Sequence, residues 1–587
     1  CLVLENPFFT RTLLADRANH AFYTSVFIDR ATGINHCITG SKEFSFSVNG
    51  KEVSGGRSAG LVDYQRHAIT SGVDGRQTLA VVLSGRPGTL AANLEITLYY
   101  EIYPDLAVIR KWLSVTNNKP GEIVLTNLEW ENVSYEIASP SWIPHICTFP
   151  DVYAQYGQCV FKPPYVGRTE DAALLVYDYE KREGLIVGNE GPSILKRTSI
   201  YPESTFISIG LGFASDDFPF KKQLSPGETF VSPKGFLMPY KGDVWQDAFG
   251  NGLAQYTRKY MGVKLFEKKL APTFFYNTWN PFKAKISSSL IKQVADVTSK
   301  AGVEYLIIDD GWQNNYGDWD ADTEKFPGGL KPVCDYIRSK GMKPGLWISA
   351  AHVENKSRVR AEHPEWLVRN RENEPANLHA EVPADCQTMC LATPWYDYIK
   401  AKITLLIESN HIGYLKLDLA SAHSAYKLNN YEVGCYASGH GHHDHAESLY
   451  VLITKTYQLI DELKARFPDL YVDCTFELFG KIYGTDYFLV QHADGDWLSN
   501  IEEKPPYGPL YLRQLSYERA RVIPPSTLLI GNMQMNWDDS ELCFQSLLGA
   551  APLMLGDPRG LSEPKIAWFR QWSDWFRKME SKYLVLT

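Results

Sequence analysis

Beyond Met261-Gly262 the chain repeats one pattern eight times: a short apolar run, then a longer stretch with helical periodicity. The predicted strands are residues 274–278, 305–309, 343–348, 413–418, 471–474, 488–493, 527–530 and 552–555. Between them, residues 287–300 place Leu290, Ile291, Val294 and Val297 on one helix face, and residues 449–467 form a longer amphipathic helix. Eight strands alternating with helices over about 300 residues is the count of a (β/α)8 TIM barrel. In that architecture, polar residues at the C-terminal strand ends carry the chemistry.

Residues 1–262 read differently. Short alternating runs such as Phe44-Ser45-Phe46-Ser47-Val48 and Leu94-Glu95-Ile96-Thr97-Leu98 are separated by turn signals, among them Asn49-Gly50, Pro87-Gly88 and Ser225-Pro226-Gly227. The expectation is a multidomain chain: an all-β sandwich over 1–262, then a barrel over 263–587. The aromatic loops around Trp142, Tyr153 and Tyr156 are candidates to reach the barrel's active site.

Composition removes other classes. A formal charge of −9 lacks the basic footprint of a nucleic-acid binder. No apolar run approaches the length of a membrane-spanning helix. Ten cysteines without a C-x-x-C pair argue against a disulfide scaffold and a zinc ribbon. Cys1 fits a lipid-modified mature terminus, which implies a periplasmic or surface protein, although Leu2-Val3-Leu4 is not the usual polar tether. The sequence leaves homo-oligomer formation open.

The strand ends are unusually polar. In Tyr414-Leu415-Lys416-Leu417-Asp418, side-chain alternation points Lys416 and Asp418 the same way. That is either a structural ion pair or a carboxylate held ionised for nucleophilic attack. Other ends carry Asn277-Thr278-Trp279, Asp309-Asp310-Gly311-Trp312, Trp347-Ile348-Ser349, Asp473-Cys474 and Asp494-Gly495-Asp496-Trp497. Carboxylates at several ends, flanked by tryptophans, point to a carbohydrate-processing site, because an aromatic face packs on the C–H face of a pyranose.

At these residues the chain resembles clan D glycoside hydrolases, the α-galactosidase and melibiase families 27 and 36, and most of all family 36. The resemblance rests on Tyr276-Asn277-Thr278-Trp279, Asp309-Asp310-Gly311-Trp312-Gln313, Lys325-Phe326-Pro327-Gly328-Gly329-Leu330, Gly341-Met342-Lys343-Pro344-Gly345-Leu346-Trp347, Lys416-Leu417-Asp418, Cys474 and Gly549-Ala550-Ala551-Pro552-Leu553-Met554. It implies a retaining exo-α-glycosidase, first of all an α-galactosidase that hydrolyses terminal α-linked galactose from oligo- or polysaccharides through a covalent glycosyl-enzyme, without a cofactor. Asp418 would be the nucleophile and Asp494 the acid/base, with Asp496 as runner-up. Asp309, Asp310 and Lys416 would hold sugar hydroxyls, and Trp279, Trp312 and Trp347 would line the pocket. Lys416 would favour ionised Asp418, and burial beside Trp497 would raise the Asp494 pKa.

The chain also departs from that family. Cys474-Thr475-Phe476-Glu477 replaces a glycine-rich segment near the position that reads the C2 substituent. Cys474, Thr475 and Glu477 are therefore candidate substrate contacts, and α-N-acetylgalactosaminidase or another α-glycosidase activity is an alternative. Transfer like that of plant raffinose synthases, which share the Asp309–Gln313 wording, is a further one. The expected arginine before the fourth strand is replaced by Asp385-Cys386-Gln387. The family's C-terminal β-domain is absent or reduced to a first strand at 583–587. Finally, Gly439-His440-Gly441-His442-His443-Asp444-His445 offers donors for zinc or copper, but its glycines and close spacing suit a loop whose histidines bond neighbours, and no metal is expected.

Overall fold

The computed structural model describes residues 1–38, 40–136, 142–148, 158–161, 167–169, 171–201, 206–267, 274–378, 385–423, 433–475, 487–499 and 501–583. Tyr153, Tyr156 and Glu477 lie outside these residues. The chain divides into two compact units, the first comprising 1–148, 159–256 and 486–488, the second 149–158, 257–485 and 489–587.

In the first unit the described strands pair into sheets of three, seven and ten strands. The alternation seen in the sequence sets the burial: Phe44, Phe46, Ile96, Leu98 and Tyr100 are fully buried. Asn49 and Gly50, with φ of +50° and +79°, make a tight hairpin joining Glu43–Val48 to Lys51–Ser54. Four charges are sealed among the three sheets. Arg11 Nη1 meets Glu131 at 2.7 Å and its Nη2 meets Glu43 at 2.9 Å; Lys111 Nζ lies 2.8 Å from Glu43 and 2.9 Å from Glu131. Two cations and two anions close the network without net charge, and Thr24 and Tyr100 donate further hydrogen bonds to Glu43.

The second unit is the barrel. Its strands are Phe275–Asn277, Tyr305–Ile308, Lys343–Ser349, Tyr414–Asp418, Tyr471–Cys474, Asp496–Ser499, Leu528–Ile530 and Leu553–Met554, called first to eighth below. Six run in one parallel sheet in the order fifth, fourth, third, second, first, eighth. The sixth and seventh pair with each other, and single parallel bridges, Asp473 to Gly495 and Leu529 to Ala551, link them to the fifth strand and to the eighth. Phe275, Tyr305, Tyr414 and Tyr471 point inward at the strand starts, with ring centroids 5.0 to 6.2 Å apart. They plug the N-terminal end, so the barrel opens only at its C-terminal mouth. Ser287 caps the helix Ser288–Thr298, accepting from Leu290 N, and Asp444 caps His445–Arg466, accepting from Glu447 N.

One expectation is corrected. The apolar run at 488–493 is helical, part of Tyr487–His492, and the sixth strand follows it. A short apolar run fits a buried strand or a helix face equally, and here tertiary packing decides. Tyr583 ends the helix Glu563–Tyr583, and 584–587, the rest of the run expected as a first strand, lie outside the described residues. No helix of the described residues is long and apolar enough to cross a membrane.

The Arg11–Glu43–Lys111–Glu131 network yields a stability prediction. Burial pushes the Glu43 pKa up, but Lys111 and Arg11 more than offset it, and the carboxyl is held well below the usual carboxylate range. Its contribution is therefore full above about pH 4.5 and is lost as acid carries the pH down through the depressed folded value. Lys111→Met leaves two buried carboxylates sharing one cation. We expect it to lower unfolding stability by about 3–5 kcal/mol in urea and to move acid unfolding to higher pH.

Candidate active site

The fourth strand carries the centre of the site. Tyr414, Lys416 and Asp418 face the barrel interior, and all five strand residues are buried. Lys416 Nζ bridges two carboxylates, lying 3.1 Å from Asp309 Oδ2 and 3.3 Å from Asp418 Oδ2. Its ammonium also sits 4.1 Å from the ring centroid of Trp497, where the aromatic face favours a cation.

Asp418 accepts from Trp347 Nε1 at 2.8 Å and from Leu419 N at 2.8 Å. Leu419 has φ of +68°, a left-handed conformation costly for leucine. That turn is what aims the Leu419 N–H back at the carboxylate. Two N–H donors and one ammonium all stabilise the anion, which suits a nucleophile at neutral pH. Trp347 is itself held from behind: Trp312 Nε1 donates to its carbonyl at 2.9 Å, and Tyr316 and Trp319 pack on its ring with centroids 5.5 and 6.0 Å away.

Asp309 and Asp310 diverge. Asp309 accepts from Asn277 Nδ2 at 2.6 Å as well as from Lys416. Asp310 accepts from Gln313 Nε2 at 2.6 Å and from the Tyr316 hydroxyl at 2.7 Å. Burial raises the Asp310 pKa against these two bonds, with Asp309 adding to the rise. Behind them Asp473, bonded to Tyr414 Oη at 2.9 Å, is driven well above the ordinary range by burial, with Asp496 and Asp418 pushing the same way against Lys416. Burial thus favours the neutral acid at Asp473.

The structure brings Asp309, Asp310, Trp347, Lys416 and Asp418 together and moves other expected contacts away. Asp494 is not at the mouth. Its carboxylate meets Lys464 Nζ at 2.5 Å and accepts from Val472 N at 2.8 Å. Lys464 is in the last turn of the helix that returns from the catalytic face, so Asp494 lies at the opposite end of the barrel. The fifth strand is in register with the fourth, Leu415 against Val472. The three residues from Leu415 to Asp418 then separate the two carboxylates by about 10 Å along the strand. Asp494 is thus half of a buried ion pair with Lys464. Asp496, the first residue of the sixth strand, is wholly buried and acts on Asp473 electrostatically. Trp312 is also fully buried, with its indole N–H on the Trp347 carbonyl. Cys474 pairs in register with Leu417 and shares its orientation, away from the interior. Thr475 is buried with its amide bonded to Leu417 O, while Trp279 is half-buried beneath Lys283 Nζ, 4.7 Å from its ring centroid.

One carboxylate was missed. Glu502 lies three residues past the sixth strand, and its Oε1 accepts from Asn280 Nδ2 at 2.8 Å and Asn532 Nδ2 at 3.0 Å. Those asparagines follow the first and seventh strands, which places Glu502 at the mouth, with 52% of its side chain exposed. The signal in the sequence was the strand-like Trp497-Leu498-Ser499, hidden because the strand was placed several residues early.

Residues 235–508 match the family model described as Melibiase. The chain is 24% identical over 430 residues to α-galactosidase Mel36A of Lactobacillus acidophilus, covering 69% of this chain and 55% of that one. It is 23% identical over 452 residues to α-galactosidase AgaA of Geobacillus stearothermophilus, covering 72% and 56%. The chain thus spans about half the length of these curated relatives. Among solved structures, a variant of the GH36 α-galactosidase AgaA from Geobacillus stearothermophilus in complex with raffinose superposes with a TM-score of 0.77 at 16% identity, over 100% of this chain and 87% of that one. The α-galactosidase from Lactobacillus brevis gives 0.78 at 15%, over 99% and 83%. These likenesses carry the fold.

Asp494→Asn keeps the shape and removes the charge paired with Lys464. We expect a stability loss of about 3–5 kcal/mol with turnover per folded molecule unchanged. A folded variant with turnover reduced a hundredfold would return Asp494 to the catalytic machinery.

Proposed function

From a chain that carries a melibiase domain over residues 235–508, we propose a retaining exo-α-galactosidase that removes terminal α-linked galactose through a covalent glycosyl-enzyme. The observation that carries this reading is Asp418, accepting from Trp347 and Leu419 and paired with Lys416 at the mouth of a parallel barrel. The relatives' names supply the sugar, and the residues supply the chemistry.

In this reading Asp418 attacks the anomeric carbon. Asp309 and Lys416 bind ring hydroxyls as a pre-ordered acceptor and donor, and Asp310 adds a second acceptor beside them. Glu502 is the proton donor to the leaving oxygen and then the base that activates water, since it is the carboxylate past the sixth strand that two asparagines hold at the mouth. Retention needs the two carboxyl groups about 5–5.5 Å apart across the bond. The oxocarbenium-like transition state gains from Asp418 and Asp309, whose negative charge one lysine only partly neutralises.

Azide chemistry separates the roles. Asp418→Ala should lose at least about 10⁴-fold in kcat/KM on every α-galactoside, and azide attacking through the vacated space should give the β-galactosyl azide. Glu502→Ala should lose about 10²–10⁴-fold on natural galactosides but keep its first step on an activated aryl α-galactoside. Azide then needs no base, so that variant should be rescued with the α-galactosyl azide. Absence of rescue in Glu502→Ala would remove it as the acid/base. A screen of aryl α-galactoside, α-N-acetylgalactosaminide and α-glucoside, with and without acceptor sugars, tests the sugar and the reaction type. Turnover of only the N-acetylated substrate, or transfer without hydrolysis, would overturn the proposed specificity.

A further inference from the structure

Away from the carboxylates, four metal-ligating side chains converge from two loops at the catalytic face. Cys390 precedes the helix Trp395–Asn410, and Cys435, His440 and His442 precede the helix His445–Arg466. Their donor atoms all lie within 4.8 Å of one another. Cys390 Sγ is 3.7 Å from His442 Nε2, and Cys435 Sγ is 3.5 Å from His440 Nδ1. A tetrahedral zinc ion with Zn–S of about 2.3 Å and Zn–N of about 2.0–2.1 Å has S···N edges of about 3.5–3.6 Å. The two measured edges match that within about 0.2 Å.

The surroundings fit a built site. Cys390, Cys435 and His442 are buried. The other nitrogen of His440 is 2.9 Å from the Glu365 carbonyl, the outer hydrogen bond that orients a ligating imidazole. Gly441 N donates to Ala392 O at 2.8 Å, tying the histidine loop to the cysteine loop. Gly434 and Gly439, with φ of +68° and +82°, turn the backbone on either side of Cys435 and His440. The remaining polar residues of the loop have other work: His443 bonds Glu447, Asp444 caps the following helix, and His445 bonds the Val433 carbonyl.

We propose that Cys390, Cys435, His440 and His442 hold a structural zinc ion that staples the loop after the third strand to the loop after the fourth. Two thiolates and two imidazoles are the donor set of closed zinc sites, and with four protein ligands no position is left for substrate. Binding displaces both thiol protons to solvent. Asp418 ends the fourth strand just ahead of the stapled loop, so the ion's role is to set the mouth, not to react.

The test uses the full chain without a polyhistidine tag. Elemental analysis should find one zinc per chain. Cobalt(II) added to chelator-stripped protein should give the intense visible d–d bands of tetrahedral coordination and a near-ultraviolet thiolate charge-transfer band. Cys435→Ser should abolish the charge-transfer band or halve it, and His442→Ala should weaken cobalt binding at least tenfold. Stripping should lower the melting temperature, with recovery on adding zinc. The cobalt titration on the wild-type chain stands even if a variant fails to fold. Substoichiometric metal with an octahedral, thiolate-free cobalt spectrum would overturn the proposal, as would a Cys390–Cys435 disulfide found by mass spectrometry in protein purified under reducing conditions.

Discussion

The barrel's chemistry depends on Lys416 lying between Asp309 and Asp418. Three charges in a buried layer are tolerable because each is paired and hydrogen-bonded: Asn277 completes Asp309, Trp347 and the Leu419 amide complete Asp418, and the Trp497 face covers the ammonium. Removing the lysine would leave two buried carboxylates facing each other with no cation between them.

The two units use buried charge differently. In the first, Arg11, Lys111, Glu43 and Glu131 cancel completely and are sealed from solvent, so the network specifies how sheets meet and has nothing left to offer a ligand. In the barrel, Asp309, Asp418, Asp473 and Asp496 outnumber Lys416. Burial resolves part of the excess by favouring the neutral acid at Asp473. What remains negative is gathered toward the mouth, where a developing positive charge on a substrate can complete the balance.

The loops after the second, third and fourth strands illustrate a second division of labour. Aromatic packing of Trp312, Tyr316 and Trp319 fixes Trp347, and through it one oxygen of Asp418. The cluster of Cys390, Cys435, His440 and His442 joins the loops after the third and fourth strands, where the proposed zinc ion adds a cross-link to their packing. Precision near the reacting atoms comes from the core, and the shape of the mouth comes from its loops.

Sequence alone determined the two-part organisation, the parallel barrel and the inward pairing of Lys416 with Asp418, because side-chain periodicity is local and strand alternation leaves no choice about which residues share a face. Motif wording likewise identified Asp309, Asp310 and Trp347. What it left undecided depended on contacts between distant segments. The run at 488–493 suits helix or strand, and choosing strand carried Asp494 to the mouth when packing against Lys464 holds it at the other end. Register turns Cys474 away from the barrel interior, and Trp312 is buried with its indole N–H on the Trp347 carbonyl. The histidine loop read alone offers Cys435, His440 and His442; the fourth donor, Cys390, comes from the loop after the third strand, which only the folded barrel brings alongside. Local pattern specifies which face a residue occupies; only the folded chain specifies what that face meets.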